Sequence, residues 1–599
     1  MLKITDFKTI IHLDFETFYS RDFSLSKMPT VLYVRDERFK VFGCSVALND
    51  SSAVYMEAEE FAKWVETIDW PNVAVSGYNN AFDSCVLTQH YNVFPGFYIC
   101  PQSAARAILP IDSVALKKVA PLLGLGEKGN ALVEGATTAS AGMADYSNLD
   151  NELARSIYCM LYPMLSEEEQ YHIHMHIRMA VEPTLVLDEP TLRQVRDDAI
   201  ADRARLISAS GYSESALSSN PQFASIITKL GLTCPTKLSP TTGEEATAFS
   251  KGDDEFIEFM LAYPEHQHIW DARLASKSNI NATRAQRFLD IATTGIGSMP
   301  FPLKYCGAST GRSSGTDLIN AQNMPSKYKS NLRSAVRAPD GYVIVVVDSA
   351  GIEMRINNWF CGQQDKVDAI RNGDDIYKLE ASTQFGIPVN EVTKDQRQFG
   401  KVVTLGCGFY MGATRFRKYC ASGPLGLKPI YLSITEAYDS IQKYRSTNSM
   451  IPAMWRTLQE RIHQMTLPDI YEKEGCVTFT HEAVILPSGR MLQYPGLMQT
   501  EDGSWVQGID KKTSYLHAGI LLENIVQALA RDLVFGQALA IDQRYRVVGM
   551  CHDECLFLAP EQEAEEALAF GIEVFSQSPS WAPDLPVSAE GDFNTYYCK

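Results

Sequence analysis

Residues 9–16, TIIHLDFE, form an apolar run that ends in two carboxylates, which reads as a strand with acids at its end. Residues 73–87, VAVSGYNNAFDSCVL, read as a strand, a turn and the start of a helix. The pattern over 150–181 is helical, whereas 205–255 is rich in Ser, Thr, Gly and Pro and predicts loops and short helices. Residues 342–348, YVIVVVD, are a continuous apolar and β-branched run that fits a buried strand. A helix is expected over 393–411, with Thr393 and Gln396 at capping-box spacing. Residues 545–558 read as strand, tight turn and strand, with His552, Asp553 and Glu554 at the turn. There is no internal repeat and no low-complexity tail.

At 599 residues the chain is too long for one compact core, so two to four domains are expected. The apolar fraction of 45% and charged fraction of 21% are those of a folded soluble protein. No apolar run has the length of a membrane span, and the start, MLKITDFKTI, lacks the stretch of a signal peptide. Thirteen scattered cysteines without a CxxC pair point to reduced thiols in a cytoplasm rather than to disulfides or zinc. The formal net charge of −18 argues, by itself, against a nucleic-acid partner. Metal-holding carboxylates count in that sum, however, and a channel needs only local positive charge.

Asp14 and Glu16 lie one residue apart on the first strand, so period-two geometry puts both side chains on one face. An isolated pair is as readily explained by two exposed acids at a strand end. Asp83 follows in NNAFD, and Tyr146 and Asp150 in YSNLD are spaced one helical turn apart. In this order the segments resemble the three exonuclease motifs of the DEDD superfamily, in its tyrosine-bearing branch. Four carboxylates can hold two metal ions roughly 3.5–4 Å apart, clamping the attacking and leaving oxygens of a phosphodiester. The resemblance implies that Tyr146 orients the attacking water, and all five positions are intact.

A second group is spread over three segments: Asp348 in VVVDSAGIEMR, Arg397 and Lys401 in RQFGKVVTLGCGFYMG, and Asp553 with Glu554 in CHDEC. Arg397 and Lys401 are four apart and share a helix face, which could equally be a solvated surface. Gly406 and Gly408 each cost about 1 kcal/mol relative to Ala in a helix. Keeping both points to close packing, with a base pair as one candidate neighbour. These segments resemble motifs A, B and C of the DNA polymerase I family, family A. GASTGRSS, NAQNMP, LRSAVRAPDGY, LPSGRMLQYP, ENIVQALARD and LPVSAEG extend the likeness from residue 11 to the last residues. The wording of ENIVQALARD and LGCGFYMG most resembles phage-encoded members. Leu405 stands where many members carry Phe or Tyr, Phe409 and Tyr410 where Tyr-Gly is usual, and Ser349-Ala350-Gly351 where Tyr-Ser-Gln is.

The resemblance implies a template-directed DNA polymerase with a 3′→5′ proofreading exonuclease. It implies Mg2+ on Asp348 and Asp553, two ions in each site, with Mn2+ as a substitute. Arg397 and Lys401 would grip the incoming dNTP, with Lys401 a candidate proton donor. Glu353 would crowd the ribose 2′-position, Leu405 and Phe409 would lie by the nucleotide, and His552 and Glu554 would sit beside the primer terminus. Arg312 and Gln527 would reach the minor groove of a primer–template, where base acceptors are nearly sequence-independent. A phage helicase, primase or single-strand-binding protein is a further expected partner, and no membrane is. The expected location is the cytoplasm, that of the host cell if the chain is phage-encoded.

The implied fold class is α/β multidomain. A ribonuclease-H-like exonuclease domain over 1–165 is expected, then a right-hand polymerase: thumb at 166–300, palm at 301–360 and 476–599, fingers at 361–475. No 5′-nuclease domain is expected upstream, and no processivity-clamp insertion is expected in the thumb. A single-subunit RNA polymerase shares the palm motifs, but Glu353 and the exonuclease cluster argue against it. A non-catalytic scaffold is opposed by the intact Asp348, Asp553, Asp14 and Asp150. Two other clusters have chemistry-bearing residue types. His172 and His176 in YHIHMH (171–176) have the spacing of a helical metal pair, but a helix packing on the exonuclease domain is favoured. Cys551 and Cys555 fit small packed residues better than a redox pair.

Overall fold

The computed structural model describes residues 1–129, 142–239, 243–294, 297–325, 330–424, 429–508 and 513–599. Its N-terminal part is built on a five-stranded sheet. In spatial order the strands are Val54–Glu57, Val41–Leu48, Thr9–Thr17, Val73–Ser76 and Phe97–Ile99. The first three are antiparallel, and the last two run parallel to Thr9–Thr17. The central strand is buried on both faces, as its apolar run requires: Ile11, Leu13 and Phe15 share a core with Val75, Ile99 and Ile157. The helices Asn80–Gln89, Met143–Leu161 and Glu167–Val181 pack against this sheet.

The helical stretch expected over 150–181 is two helices. They are parted by the 3-10 turn Tyr162–Met164, where Pro163 has no N–H to continue the ladder. Ser166 then caps the second helix by accepting a hydrogen bond from Glu169 N, 3.3 Å. That second helix, Glu167–Val181, belongs to two cores. Tyr171, Ile173 and Ile177 face the N-terminal sheet, and Met175 and Met179 enter the core of the C-terminal part.

An arm follows. Its long helix Glu189–Ala209 packs on Gln267–Ser276 and Ile280–Ala292, and Phe223, Phe249, Phe256 and Trp270 form a small core of its own. A block of helices spans Ile352–Phe360 to Met450–Gln464. Arg417 and Lys418 of this block reach Glu258 and Asp254 of the arm, at 2.5 and 2.8 Å. The C-terminal part closes on a four-stranded antiparallel sheet, in the order Val547–Cys551, Glu554–Pro560, Tyr342–Ser349 and Ala589–Asn594. The β-branched run Val343–Val347 is its buried centre, as expected. The long apolar helix Ala518–Asp542 and the helix Ala564–Phe575 pack against this sheet. No helix among the described residues is long and apolar enough to cross a membrane.

The helix expected over 393–411 runs Lys394–Cys407, and its capping box is formed: Thr393 Oγ1 accepts from Gln396 N at 3.3 Å, and Gln396 Oε1 accepts from Thr393 N at 2.9 Å. It stops four residues early because Gly408 caps it and Tyr410 turns to φ +69°. The glycines here pack closely against side chains of the chain itself. A Cβ on Gly406 would lie 3.2 Å from the Tyr419 ring, and one on Gly408 2.9 Å from Asn357 Nδ2.

Candidate active sites

Two separate acidic sites lie on the two sheets. In the first, Asp14 and Glu16 project from the central N-terminal strand, and Asp83 and Asp150 are brought in by helices on that sheet. Asp83 Oδ1 accepts from Phe15 N at 3.1 Å, and Asp14 Oδ2 accepts from Ser147 Oγ at 3.2 Å. The four carboxyls sense one another. Burial first, and the neighbouring Asp150 next, push Asp14 up to about 7. Burial and Asp14 push Glu16 up to about 9, and the same two causes push Asp83 well above the usual carboxylate range. Tyr146 sits one turn before Asp150, and burial raises its phenol to about 12.

Lys128 was not legible as a member of this site. Its ammonium donates to Asp150 Oδ2 and lies 5.0 Å from the Tyr146 ring centroid. Nothing in its local sequence marks it. The other oxygen, Asp150 Oδ1, is buried without a hydrogen-bond partner. As the side chains stand, no group of three His, Cys, Asp or Glu among the described residues is arranged to hold a metal ion. The reason is local: Asp150 is turned onto Lys128, and Asp83 onto a backbone amide. The donor set nevertheless suits divalent cations, since four crowded carboxyls with an orphaned oxygen are what a hard cation offsets.

The second site gathers the polymerase-like motifs. Asp348 pairs with Glu554 across the central ladder, and Ser349 N donates to Asp553 O at 3.0 Å, so the two strand ends carry Asp348 and Asp553 side by side. Burial, and then the Asp348 charge, raise Asp553 to about 7. His552 takes φ +60° at the tight turn, while Glu554 is the first residue of the returning strand and is buried there. Tyr597 OH donates to Glu554 Oε1, and the Arg333 guanidinium lies over the Tyr597 ring at 4.6 Å. Burial raises the Glu554 carboxyl. Asp348 itself accepts from Lys599 Nζ at 2.5 Å. Cys551 and Cys555 are buried, and the Cys551 thiol donates to Gln322 O at 3.0 Å.

Arg397 and Lys401 do share a face. Both lie over the ring of Tyr377, at 5.4 and 5.7 Å, and Arg397 Nε donates to Asp375 Oδ2 at 2.5 Å. Gly400 between them permits this, because a Cβ there would lie 2.1 Å from Tyr377 O. Asp375 and Tyr377 were missed, although Asp375 is the N-cap of Ile376–Phe385, accepting from Tyr377 N and Lys378 N. Arg312 donates to Glu353 Oε1 at 2.5 Å, and Arg312, His552 and Asp553 line one small cleft. Gln527 donates to Glu523 Oε1 at 3.1 Å on the long C-terminal helix. Arg355 in motif A holds the LPVSAEG segment through Pro586 O at 3.0 Å and Ser588 Oγ at 2.6 Å. Leu405 packs against Met354, Ile370 and Ile376, and Phe409 packs on the core of the helical block.

Comparison with known proteins bears on part of the chain. Residues 191–470 match the model of "DNA polymerase family A". A DNA polymerase of Bacillus phage SP02 is 28% identical over 301 residues, which cover 46% of this chain and 44% of that protein. DNA polymerase I of Pseudomonas aeruginosa is 27% identical over 267 residues, covering 42% of this chain and 27% of that protein. The thermostable DNA polymerase I of Thermus filiformis is 24% identical over 376 residues, 60% of this chain and 39% of that one. The aligned part thus spans less than half of each relative. A solved structure of the POL domain of Pol1 from M. smegmatis, in complex with DNA primer-template and dNTP, superposes with a TM-score of 0.67 at 18% identity, over 94% of this chain and 93% of that one. The likeness of fold therefore extends well beyond the segment that the family model matches.

Proposed function

We propose that the chain is a member of DNA polymerase family A, whose model matches residues 191–470, and that it extends a primer 3′-hydroxyl with dNTPs under template direction and removes misincorporated nucleotides 3′→5′. The observation that carries the reading is the presence of two acidic sites on two different sheets. Asp348 and Asp553 form one, and Asp14, Glu16, Asp83 and Asp150 form the other. In this reading residues 1–165 are the exonuclease domain, 166–300 the thumb, 301–360 and 476–599 the palm, and 361–475 the fingers. The SP02 similarity supports a replicative role in a phage.

Divalent cations, Mg2+ with Mn2+ as a substitute, would be held by these carboxylates and would neutralise charge on the phosphate oxygens. The chain's own residues do the rest. Arg397 and Lys401, stacked over Tyr377, present two cations to the triphosphate, and Lys401 can give a proton to the leaving pyrophosphate. Glu353 crowds the 2′-position of the incoming sugar and so excludes ribonucleotides. Arg312 and Gln527 meet minor-groove acceptors of the primer–template, and His552 and Glu554 border the primer terminus. In the other site Tyr146 orients the attacking water.

The test is separation of the activities. Asp348→Ala or Asp553→Ala is expected to abolish dNTP incorporation and leave degradation of single-stranded DNA intact. Asp14→Ala with Glu16→Ala is expected to do the converse and raise the error rate. Incorporation above a few per cent of wild type in either palm variant, or persistent degradation in the double variant, overturns the corresponding half.

A further inference from the structure

The three histidines of Glu167–Val181 have no part in either acidic site, yet they are fully enclosed. His174 faces the N-terminal sheet: its Nδ1 accepts from Tyr98 N at 3.1 Å, and its ring stacks on Phe97 at 4.5 Å. His176 faces the other way. Its Nδ1 donates to His172 O at 2.7 Å, and burial pushes the imidazole down to about 4, so it is neutral. Nε2 is then a lone-pair acceptor, and Ser313 Oγ donates to it at 2.6 Å.

One turn and more earlier on the same helix, Glu169 is buried between two arginines. Arg531 donates to both of its oxygens, one contact being 2.8 Å, and Tyr305 OH donates to it as well. Burial alone would raise the Glu169 carboxyl, but Arg531 and Arg490 outweigh it and hold it below the usual carboxylate range. Arg531 spends its remaining Nε–H on Gly311 O at 3.2 Å, and Arg490 donates to Thr310 O at 3.3 Å. Gly311 has φ +83°, and a Cβ on it would lie 1.9 Å from Arg490 Nη1, so the turn and the arginine fit only with glycine there. Residues 310, 311 and 313 are thus each tied down, and the residue they enclose is Arg312.

We propose that Glu169 and His176 are positioning residues for Arg312: the helix anchored on the N-terminal sheet through His174 fixes, through Arg531 and Ser313, the turn that aims Arg312 at the primer. The proposal rests on the reading of Arg312 as a minor-groove contact. It assigns the YHIHMH segment to the polymerase reaction, at a distance from its chemistry. A guanidinium on a long side chain loses directional hydrogen bonding if its backbone turn is free, so loss of either tie blunts discrimination before it stops extension.

The experiment compares single-nucleotide extension of primers ending in guanine and in 3-deazaguanine, which lacks the minor-groove N3 acceptor. Wild type is expected to extend the analogue on the order of tenfold more slowly, the value of one directed hydrogen bond to a charged donor. Arg312→Ala is expected to show the smallest ratio. Ser313→Ala, His176→Gln and Glu169→Gln are expected to fall toward the Arg312→Ala ratio while degrading single-stranded DNA at the wild-type rate. Ser313→Ala and His176→Gln are expected to be non-additive. A wild-type ratio in Ser313→Ala and His176→Gln, with Arg312→Ala as expected, overturns the positioning role alone. A wild type indifferent to the analogue removes Arg312 from the minor groove and the proposal with it. Should Glu169→Gln melt early, Ser313→Ala, which deletes one hydroxyl, still decides.

Discussion

Lys599 Nζ lies 2.5 Å from Asp348 Oδ2, although the two residues are 251 positions apart. Its backbone oxygen accepts from Arg333 at 2.9 Å, so the ammonium is delivered to the carboxylate by a held segment rather than by a free side chain. An ammonium on that oxygen competes with any cation that Asp348 binds. Lys599→Met is therefore expected to tighten Mn2+ binding to the DNA-free protein. Both partners are about three-tenths exposed, so the gain is bounded at about fivefold, the range of a solvent-screened pair. Weaker Mn2+ binding by the variant, in titration calorimetry, would show that Lys599 supports Asp348 instead.

The carboxyls on the N-terminal sheet make a pH prediction. The folded protein holds the Asp14 proton up to about 7 and the Glu16 proton up to about 9, against 3.8 and 4.5 for the free groups. Through that window the folded state binds more protons than the unfolded one, so metal-free stability falls as pH rises. Asp14→Asn with Glu16→Gln removes this loss. In EDTA the Tm advantage of the double variant over wild type is expected to grow from pH 5 to pH 9, roughly the window that these shifts span. His12, His172 and His176 act in the opposite sense. Burial lowers each, so their contribution is lost as pH falls below about 6.5. They are common to both proteins and cancel in the difference. An advantage independent of pH would refute the coupled cluster.

The proposed place of Leu405 beside the incoming nucleotide makes a prediction about sugar discrimination. It carries no polar atom and packs on Met354, the neighbour of Glu353. A dideoxy substrate would leave the local hydrogen-bond network one partner short, at a cost of about 1–3 kcal/mol, or roughly tenfold to more than a hundredfold. Wild type is expected to disfavour ddNTPs, and Leu405→Tyr to relax this by supplying a hydroxyl. Equal use of dNTP and ddNTP by wild type, or an unchanged ratio in a folded Leu405→Tyr, would leave Leu405 as a packing residue only.

Affinity for primer–template is expected to fall steeply with salt despite the net charge of −18. Each DNA phosphate that a Lys or Arg side chain neutralises releases counterions. With several such contacts the loss between roughly 50 and 200 mM salt is expected to reach orders of magnitude. A flat dependence in fluorescence anisotropy would exclude a basic channel.

The acids themselves were legible in the sequence because they follow local rules. Asp14 and Glu16 share a face by the period of a strand, Asp348 ends an apolar, β-branched run that fits a buried strand, and the Thr393–Gln396 box marks its own helix start. Arg397 and Lys401 follow from the four-residue period of a helix. The early stop of that helix was not legible, since Tyr410 takes a left-handed conformation where its ring meets Trp455 edge-to-face, centroids 4.9 Å apart.

What the sequence determined by itself was which short segments carry chemistry and in what order. Only the tertiary structure decided what faces them. Glu169 meets Arg531 across 362 residues, Lys128 is set on Asp150, and Tyr377 lies beneath both Arg397 and Lys401. Periodicity and capping express interactions among residues within a few positions of one another. The choice of a partner hundreds of positions away is made by how whole elements pack, through burial that no local window contains.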